Sequence, residues 1–324
     1  MLERTDFNKK QLVFLFTLQG EKLAFKNDNL VVLDSEGKIK YQTTCYQIFM
    51  IFVVGDLSIT TGLIRRARKF QFTICLLSAS FKVYSVIGNR MEGNTLLHRK
   101  QYEYDGNEIA QFIVSNKIRN QRETLNRIRK KSKFCKEAIA TLDGYLKQLD
   151  ENQLTMESLL GVEGSASRVY FPEVFSNVLW TGRKPRVKAD YMNTILDIGY
   201  TLLFNFIDSL LQVFGFDVYC GVYHREFYMR KSLVCDIMEP MRPMIDWKIR
   251  TAINLEQFKK EDFQIVQNQY CLSFKSGTKY VSVLLEEILH HKNEIFIYVR
   301  DYYRNFMKGR DIGKYRFFQM EVAD

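Results

Sequence analysis

Two carboxylates stand one helical turn apart in an otherwise apolar stretch, SLVCDIMEP, at residues 232–240. Ser232 is of a type that caps helix N-termini and Pro240 limits the helix, so we expect Asp236 and Glu239 to project from one side of a short helix. This segment taken alone favours a solvated edge, although a polar cleft also fits. Apolar side chains cover the rest of the circumference: Leu233, Val234, Ile237 and Met238.

Two further residues with metal-binding chemistry occur elsewhere in the chain. Glu163 lies in GVEGSASRVYF, where flanking glycines are predicted to let the backbone approach a ligand closely, just ahead of a helical run. His224 lies in GFDVYCGVYHREF and is one of only 4 histidines, each of which alone is more typical of a structural position. Together with Asp236 and Glu239 they form an oxygen-rich set with one imidazole, which suits Mg²⁺ or Mn²⁺. No cysteine spacing competes for a zinc site.

The elements that must position these residues change in type along the chain. From Gln11 to about Gly88, short β-rich runs such as LVFLFTL and IFMIFVVG are separated by turn signals, with one short helix predicted at SITTGLIRRARK. After about Asn94, long stretches with helical spacing follow. The sequence therefore predicts an α+β protein, with a small mainly β domain at 1–93 and a larger α-helical catalytic domain at 94–324.

Three long helices are predicted in the second domain. The first is NEIAQFIVSNKIRNQRETLNRIRKKSKF. The second is predicted to start at an Asp190 cap and to stop at Gly215, and its nearly continuous apolar surface indicates a central, buried helix. The last, EIFIYVRDYYRNFMKG, is amphipathic and aromatic and ends at Gly309.

The first of these helices is strongly basic. A solvated helix face is the usual explanation, yet the density of positive charge also suits a phosphate-contacting surface. The chain has 47 Lys and Arg against 37 Asp and Glu, and this net charge of +10 fits a polyanionic partner about as well as simple solubility. The basic residues of the helix are Lys117, Arg119, Arg122, Arg127, Arg129, Lys130, Lys131 and Lys133.

Composition excludes several classes of protein. With 25 Phe and 18 Tyr against only 4 Pro, the chain is neither disordered nor collagen-like. Its 6 cysteines show no CxxC pair and are interpreted as reduced core residues. The first residues, MLERTDFNKK, have no apolar signal region, and the longest apolar run is too short to span a bilayer. A cytoplasmic location is expected.

Four segments give the sequence a specific resemblance. GVEGSASRVYF, RKPRVKADYMNTILDIGYTLL, GFDVYCGVYH and SLVCDIMEPMRPMID occur in the order seen in the CRISPR adaptation integrase family, the larger of the two core spacer-acquisition proteins. NKIRNQRETL also resembles the first helix of that family. The resemblance covers nearly the whole chain and implies a β-rich front followed by a helical body.

The resemblance also implies roles for individual residues. In the family a glutamate, a histidine and an acidic residue bind Mg²⁺ or Mn²⁺, and these correspond to Glu163, His224 and Glu239. Asp236 corresponds to an additional active-site acid, either an occasional ligand or an acceptor that supports one. Candidate phosphate contacts, with surface solvation a close alternative for the first three, are Arg183, Lys184, Arg186 and Arg242.

The activity that the resemblance implies is DNA integration. The family joins a 3′-hydroxyl of a captured DNA duplex, the prespacer, to a phosphodiester at the edge of a CRISPR repeat, with associated endonuclease activity. It works as a homodimer that assembles with a small second adaptation protein. Two alternatives stay open: a metal-dependent nuclease of branched DNA that never integrates, and a non-catalytic DNA-binding scaffold. The ligand set argues against the scaffold, but it does not separate integration from hydrolysis, because the two differ only in the attacking oxygen.

Overall fold

The chain divides into two compact units. The first comprises Met1–Gly93 with Asp208–Gly215, and the second comprises Asn94–Ile207 with Phe216–Asp324. A β-rich first part followed by a mostly helical second part confirms the predicted α+β class. The structure, a computed structural model, describes residues 3–17, 20–78, 83–88, 93–224 and 228–320.

The first unit is built on two β-sheets. One has the strand order β1-β5-β6-β7, in which β7 alone pairs antiparallel, and the other is an antiparallel β2-β3-β4 sheet. Every residue of β5 is buried, as expected for the run IFMIFVV between two neighbouring strands. The elements in chain order are α1 (Arg4–Asn8), β1 (Gln11–Phe16), β2 (Lys22–Lys26), β3 (Asn29–Leu33), β4 (Ile39–Thr44), β5 (Ile48–Val54), α2 (Thr61–Phe70), β6 (Thr73–Leu77) and β7 (Val83–Ile87).

The second unit is a helical assembly in which α4 contacts α5, α6, α8 and α9. A 3-10 turn at Glu239–Met241 joins α8 to α9 and also packs against α4. The only sheet among its described residues is the β8-β9 hairpin. The elements after residue 93, in chain order, are α3 (Thr95–Glu103), α4 (Glu108–Asn126), α5 (Lys133–Glu151), α6 (Met156–Val174), α7 (Tyr191–Phe214), α8 (Ser232–Met238), α9 (Arg242–Asn254), β8 (Phe263–Val266), β9 (Gln269–Leu272), α10 (Phe274–His290) and α11 (Lys292–Lys308). The end of α7, from Asp208, is counted with the first unit.

The predicted limits of two helices are confirmed. Asp190 Oδ1 accepts a hydrogen bond of 2.7 Å from the backbone N–H of Asn193 at the start of α7, and Gly215 follows its end with φ of 82°. Gly309 ends α11 in the left-handed conformation, which glycine adopts without steric cost. Among the described residues, α7 alone is long and apolar enough to cross a membrane by length and composition, but 83% of its most apolar window is buried inside the protein.

The first long helix is shorter than predicted. It ends at Asn126 instead of running through the whole basic segment, and a separate helix begins at Lys133. Ser132 Oγ accepts from the backbone N–H of Cys135 at 2.9 Å and caps this second helix. Lys131 Nζ donates to the backbone oxygens of Asn126 and Ile128, so one of the basic residues satisfies the carbonyls at the end of α4.

The basic residues of this segment therefore do not form one continuous face. Arg119 forms a 2.8 Å ion pair with Asp150 on α5, and Arg122 forms one of 2.9 Å with Asp143. Lys117 is buried. The exposed members of the set are Arg129, Lys130 and Lys133.

Buried asparagines on α4 hold two other segments in place. Asn116 pairs with the backbone of Phe318 in both directions, through two hydrogen bonds of 2.8 Å. Asn120 donates to Phe318 O at 3.0 Å and to Pro240 O at 2.7 Å. The 3-10 turn that carries Glu239 and the segment near the C-terminus are thus bound to the same stretch of α4.

Candidate functional site

Asp236 organises the loop that carries His224. It lies on α8, whose residues are all buried, and its side chain is 0% exposed. Its Oδ2 accepts backbone hydrogen bonds from Val222 and Tyr223 at 2.7 and 2.9 Å, and its Oδ1 accepts from His224 N at 2.9 Å. A carboxylate that accepts three backbone N–H groups fixes the conformation of that backbone.

The same carboxylate orients the imidazole of His224. Nδ1 of His224 lies 2.7 Å from Asp236 Oδ1. Because the carboxylate is an acceptor, Nδ1 carries the proton and Nε2 keeps its lone pair. The predicted solvated edge at Asp236 is wrong: this acid faces the protein interior and acts on His224.

Gly221 permits the close approach of this loop to α8. A Cβ atom at this position would lie 2.5 Å from His224 O and 2.9 Å from Asp236 Oδ2. Both distances are shorter than real Cβ contacts, and the first involves a backbone atom that cannot move aside cheaply. Any larger residue would push His224 and Asp236 apart.

The predicted caps of α8 are not observed. Lys231 is at the N-cap position, while Ser232 lies within the first turn and is fully buried. Pro240 does not end the helical path, since the chain continues through the 3-10 turn into α9. Proline is tolerated there because the first residues of a helix need no N–H for an intrahelical bond. Glu239 lies on this turn and its side chain is only 6% exposed.

Glu163 lies within α6, where the sequence predicted a glycine-rich approach ahead of a helix. The flanking Gly161 and Gly164 are helical, and a Cβ at either position would have no atom within 4 Å among the described residues. The glycines therefore leave open space beside Glu163 without bending the backbone. The Glu163 side chain is 22% exposed, and its Oε1 accepts from Ser167 Oγ at 3.0 Å.

Lys117 joins the two glutamates. Its Nζ on α4 forms an ion pair with Glu163 Oε1 of α6 and another, of 2.6 Å, with Glu239 Oε2. On the other side of Glu239, Arg242 Nε lies 3.0 Å from Oε1. Glu239 Oε2 is buried, and the ammonium of Lys117 is the cation that contacts it. The two carboxylates thus flank one buried cation.

The charges at this site are mutually stabilised. Burial alone would raise the pKa of Glu239, but the positive charges of Arg242 and Lys117 hold that pKa at about 2. Burial favours the neutral amine of Lys117, yet Glu239 and Glu163 outweigh it and raise the pKa of Lys117. Both ions therefore remain charged at neutral pH.

Tyr223 shows that the acids share one neighbourhood. Burial raises the pKa of Tyr223, and the negative charges of Glu163, Glu239 and Asp236 raise it further. Its ring lies 4.8 Å from that of His224, between ring centroids. Its hydroxyl is buried and has no hydrogen-bond partner among the described residues. Three separate segments of the second unit thus bring their acids to a single region.

A second buried network supports Arg242. Its guanidinium lies 4.6 Å from the centre of the Tyr200 ring, within the range of a cation–π interaction. Tyr200 donates its hydroxyl to Asp246 Oδ1 at 2.5 Å, and Tyr170 donates to Oδ2 at 3.1 Å. Burial raises the pKa of Asp246 to about 6, even though these hydrogen bonds and the Arg242 charge favour its ionised form.

The candidate phosphate contacts fall into three environments. Arg242 lies at the carboxylate site and is 25% exposed. Arg183 is 14% exposed and forms a 2.6 Å ion pair with Asp197, so its charge is already compensated within the protein. Lys184 and Arg186 are exposed, and the backbone of Arg186 is left-handed, with φ of 65°.

The carboxylates and the imidazole of this site are ligand types that suit a divalent cation, although in the described residues they do not surround a single point. In residues 3–17, 20–78, 83–88, 93–224 and 228–320, no three His, Cys, Asp or Glu side chains are grouped so as to hold a metal ion. Two carboxylates that already surround a cation, and an imidazole with a free Nε2 nearby, are nevertheless the ligand types that Mg²⁺ and Mn²⁺ bind. The position between the carboxylates is taken by Lys117.

Sequence reasoning missed the role of Lys117, which it placed on a basic surface. A signal was present, because Lys117 is spaced four residues from Ile113 and from Gln121, both buried on the same face of α4. A lysine in the apolar register of a helix indicates a buried partner, since lysine is almost never fully buried unpaired. Tyr200 and Asp246 carried no comparable signal.

Comparison with known proteins gives the family of the chain. The family model described as CRISPR associated protein Cas1 matches residues 14–287. The CRISPR-associated endonuclease Cas1 1 of Thermodesulfovibrio yellowstonii is 27% identical over 276 residues, which cover 81% of this chain and 87% of that relative.

Two solved structures share the fold. The Cas6-RT-Cas1--Cas2 complex matches with a TM-score of 0.78 and 21% identity over 97% of this chain, which spans only 36% of that larger chain. A casposase bound to integration product matches with a TM-score of 0.76 and 18% identity, over 96% of both chains. Because the family model covers most of the sequence, the protein belongs to the Cas1 family of CRISPR-associated proteins.

Proposed function

We propose that the protein is a CRISPR adaptation integrase. It joins the 3′-hydroxyl ends of a prespacer to phosphodiesters at the leader and repeat of a CRISPR array, in a divalent-metal-dependent transesterification with associated endonuclease activity. The observation that carries this proposal is the pair of carboxylates from separate segments, Glu163 and Glu239, around one buried cation position. Membership of the Cas1 family and a structural neighbour described as a casposase bound to integration product support it.

Glu163, Glu239 and Nε2 of His224 would hold Mg²⁺ or Mn²⁺. When bound, such an ion polarises the attacked phosphate and neutralises charge that develops on the departing oxygen. Asp236 keeps the His224 ring in the tautomer that offers Nε2 and is a positioning residue in this account. Arg242 is partly exposed beside Glu239, and its remaining N–H groups can donate to phosphate oxygens.

The reaction itself exchanges one phosphodiester for another. The prespacer 3′-oxygen forms a bond to the target phosphorus, and the bond from that phosphorus to the 3′-oxygen of the target strand breaks. The proton lost by the attacking hydroxyl is balanced by the proton taken up by the departing oxygen. Since the number of phosphodiesters is unchanged, no nucleotide cofactor is required. Attack by water on the same phosphorus gives the endonuclease activity.

The partners follow from the same proposal. Duplex DNA would be contacted by the exposed Lys184 and Arg186 and by Arg242, whereas the Arg183–Asp197 ion pair makes Arg183 a residue that shapes the loop. A homodimer that binds the small second adaptation protein is proposed from the family, and the solved Cas6-RT-Cas1--Cas2 complex supports such an assembly. The protein is proposed to act in the cytoplasm.

Hydrolysis without integration is the second candidate, because the Thermodesulfovibrio relative is named as an endonuclease. The two candidates give different products from one experiment. A labelled prespacer is incubated with a plasmid that carries a CRISPR repeat, with Mg²⁺, with Mn²⁺ or with EDTA. Integration transfers the label to the plasmid, whereas hydrolysis alone nicks the DNA and leaves the label on the short duplex.

The variants Glu163→Gln, His224→Ala and Glu239→Gln test the assigned ligands. Loss of one ligand or charge-stabilising group is expected to lower strand transfer by about a hundredfold or more. DNA binding, carried by phosphate contacts elsewhere, should persist. Glu151→Gln is the matched control, because this glutamate is 61% exposed and pairs only loosely with Lys147, at 3.8 Å. Wild-type strand transfer by His224→Ala at limiting Mn²⁺ would contradict the assignment of His224 as a metal ligand, whereas absence of strand transfer by the wild type under all three conditions would favour the non-catalytic scaffold.

A further inference from the structure

The proposed function gives no role to Lys117, which lies between the two glutamates of the site. Its side chain is 9% exposed, and its ammonium contacts Glu163 and Glu239 at once. Lysine side chains are rarely buried to this degree, because removing an ammonium from water is costly unless acids compensate it. Here the compensation is complete, since two carboxylates from different elements face the same nitrogen.

The backbone that carries Lys117 is fixed. Its neighbours on α4, Asn116 and Asn120, are hydrogen-bonded to the backbone of Phe318, and Asn120 also to that of Pro240 in the Glu239 turn. The base of the lysine side chain and the turn that carries Glu239 are therefore bound to one another. These backbone contacts place the ammonium between the glutamates, although the four-carbon side chain of Lys117 lets its charged end move.

A divalent ion bound by the same glutamates would need the same space. Oxygen ligands lie about 2.1 Å from Mg²⁺. Glu163 Oε1 and Glu239 Oε2 both lie within ion-pairing distance of the single Lys117 nitrogen, so an ion that bridges these atoms and the ammonium cannot both be present. Without either cation, the carboxylates would retain only Ser167 for Glu163 and Arg242 for Glu239 as side-chain partners in the described contacts.

We propose that Lys117 is a built-in occupant of the metal position, which holds Glu163 and Glu239 together in the metal-free protein and is displaced when the divalent ion binds. The inference rests on the proposed function, because it assumes that the ion binds these glutamates. It adds that metal affinity is set in part by competition with an internal cation. The ammonium also keeps the two acids from separating when metal is scarce.

The test compares Mn²⁺ binding by the wild-type protein and by Lys117→Met, using calorimetry and the electron paramagnetic resonance signal of free Mn²⁺. Methionine preserves much of the side-chain volume and removes the competing charge. The variant is expected to bind Mn²⁺ about tenfold more tightly or better, because no fraction of the site is occupied by the ammonium. Lys133→Met, at an 86% exposed lysine, is the control and should bind with wild-type affinity.

Thermal unfolding gives a second readout. In EDTA, Lys117→Met should melt below the wild type, because two carboxylates are left close together without their cation. Saturating Mn²⁺ should raise its melting temperature by more than it raises that of the wild type. Equal or weaker Mn²⁺ binding by the variant would overturn the inference alone, whereas absence of Mn²⁺ binding by the wild type and the variant would overturn the proposed metal function with it.

A measurement on the wild type decides the question if the variant does not fold. With ¹⁵N-labelled lysine side chains, the ammonium of Lys117 should give a protected NMR signal in the metal-free protein. Addition of Mg²⁺ should abolish that signal or move it to the position of a solvated lysine. Persistence of the protected signal at Mg²⁺ concentrations that saturate the site contradicts displacement.

Discussion

Glu239 and Asp246 are buried carboxylates on adjoining segments of the chain, yet their partners differ in kind. Glu239 faces Arg242 and Lys117, whose charges overcome burial and hold its pKa at about 2. Asp246 accepts hydrogen bonds from Tyr170 and Tyr200, and burial raises its pKa to about 6. Burial alone therefore does not predict the charge of an acid, because the kind of neighbour decides it.

The two carboxylates differ in whether their partners can be replaced: the cations around Glu239 can be, and the phenols around Asp246 cannot. Cationic partners of a carboxylate can be exchanged for another cation, which is what the proposed metal binding at Glu239 requires. Phenol donors have no such substitute, and the Asp246 region acts as a hydrogen-bonded support behind Tyr200 and Arg242. A carboxylate among cations is the better candidate for chemistry, whereas a carboxylate among phenols is the better candidate for structure.

The largest expected effect is on strand transfer, measured with a labelled prespacer and a repeat-bearing plasmid. We expect Glu239→Gln to lose about a hundredfold or more, because it removes a charge at the reacting centre. Asp236→Asn should lose as much or less, since it disturbs the orientation of His224 without removing a main ligand. Asp246→Asn should stay within about tenfold of the wild type. If Asp246→Asn lost as much strand transfer as Glu239→Gln, the distinction between a chemical and a structural carboxylate would be contradicted.

The second expected effect concerns the pH dependence of stability. The folded protein binds the Asp246 proton more tightly than the unfolded chain, whose ordinary pKa is 3.8. This contribution is complete below the unfolded pKa and is lost as pH rises through about 6, and it amounts to about 3 kcal/mol. Relative to Asp246→Asn, the wild-type free energy of unfolding in urea should therefore fall between about pH 4 and pH 7. Parallel pH profiles for the two proteins would contradict the raised pKa.

The smallest expected effect separates the two tyrosines. Tyr170→Phe removes a hydrogen bond of 3.1 Å to Asp246 and should lower the free energy of unfolding by about 1 to 2 kcal/mol. Tyr200→Phe removes the shorter one and should cost a similar amount or more, but it keeps the ring under Arg242. Both variants should retain strand transfer. Loss of activity in Tyr170→Phe without loss of stability would place the phenol network in the chemistry.

Much of the fold was predictable because its signals are local. The cap at Asp190, the stop at Gly215 and the end of the last helix at Gly309 depend on a few neighbouring residues, and all three are confirmed. The break between α4 and α5 was not predicted. Lysines and arginines favour helix throughout that segment, and the Ser132 cap competes with a continuous helix by only a small free energy.

The sequence proposed members of the candidate site but neither Lys117 nor the arrangement of the side chains. The sequence pointed to Glu163, His224, Asp236 and Glu239 as one set, and the structure brings their segments into one region. The sequence did not indicate that Asp236 hydrogen-bonds the backbone N–H and the Nδ1 of His224, because those contacts depend on how the loop after α7 folds onto α8.

By itself the sequence determined the α+β class, the positions of the central and last helices and the resemblance that names the four acid and imidazole residues. Periodicity, caps and short motifs depend on residues close together in the chain, so they can be interpreted without a structure. The tertiary structure alone decided that Lys117 lies between two glutamates and that Glu239 and Asp246 have opposite pKa shifts. Apart from Arg242, which is three residues from Glu239, the partners that set these properties are distant in the sequence. The charge of a buried group depends on which of them packing brings within a few ångströms.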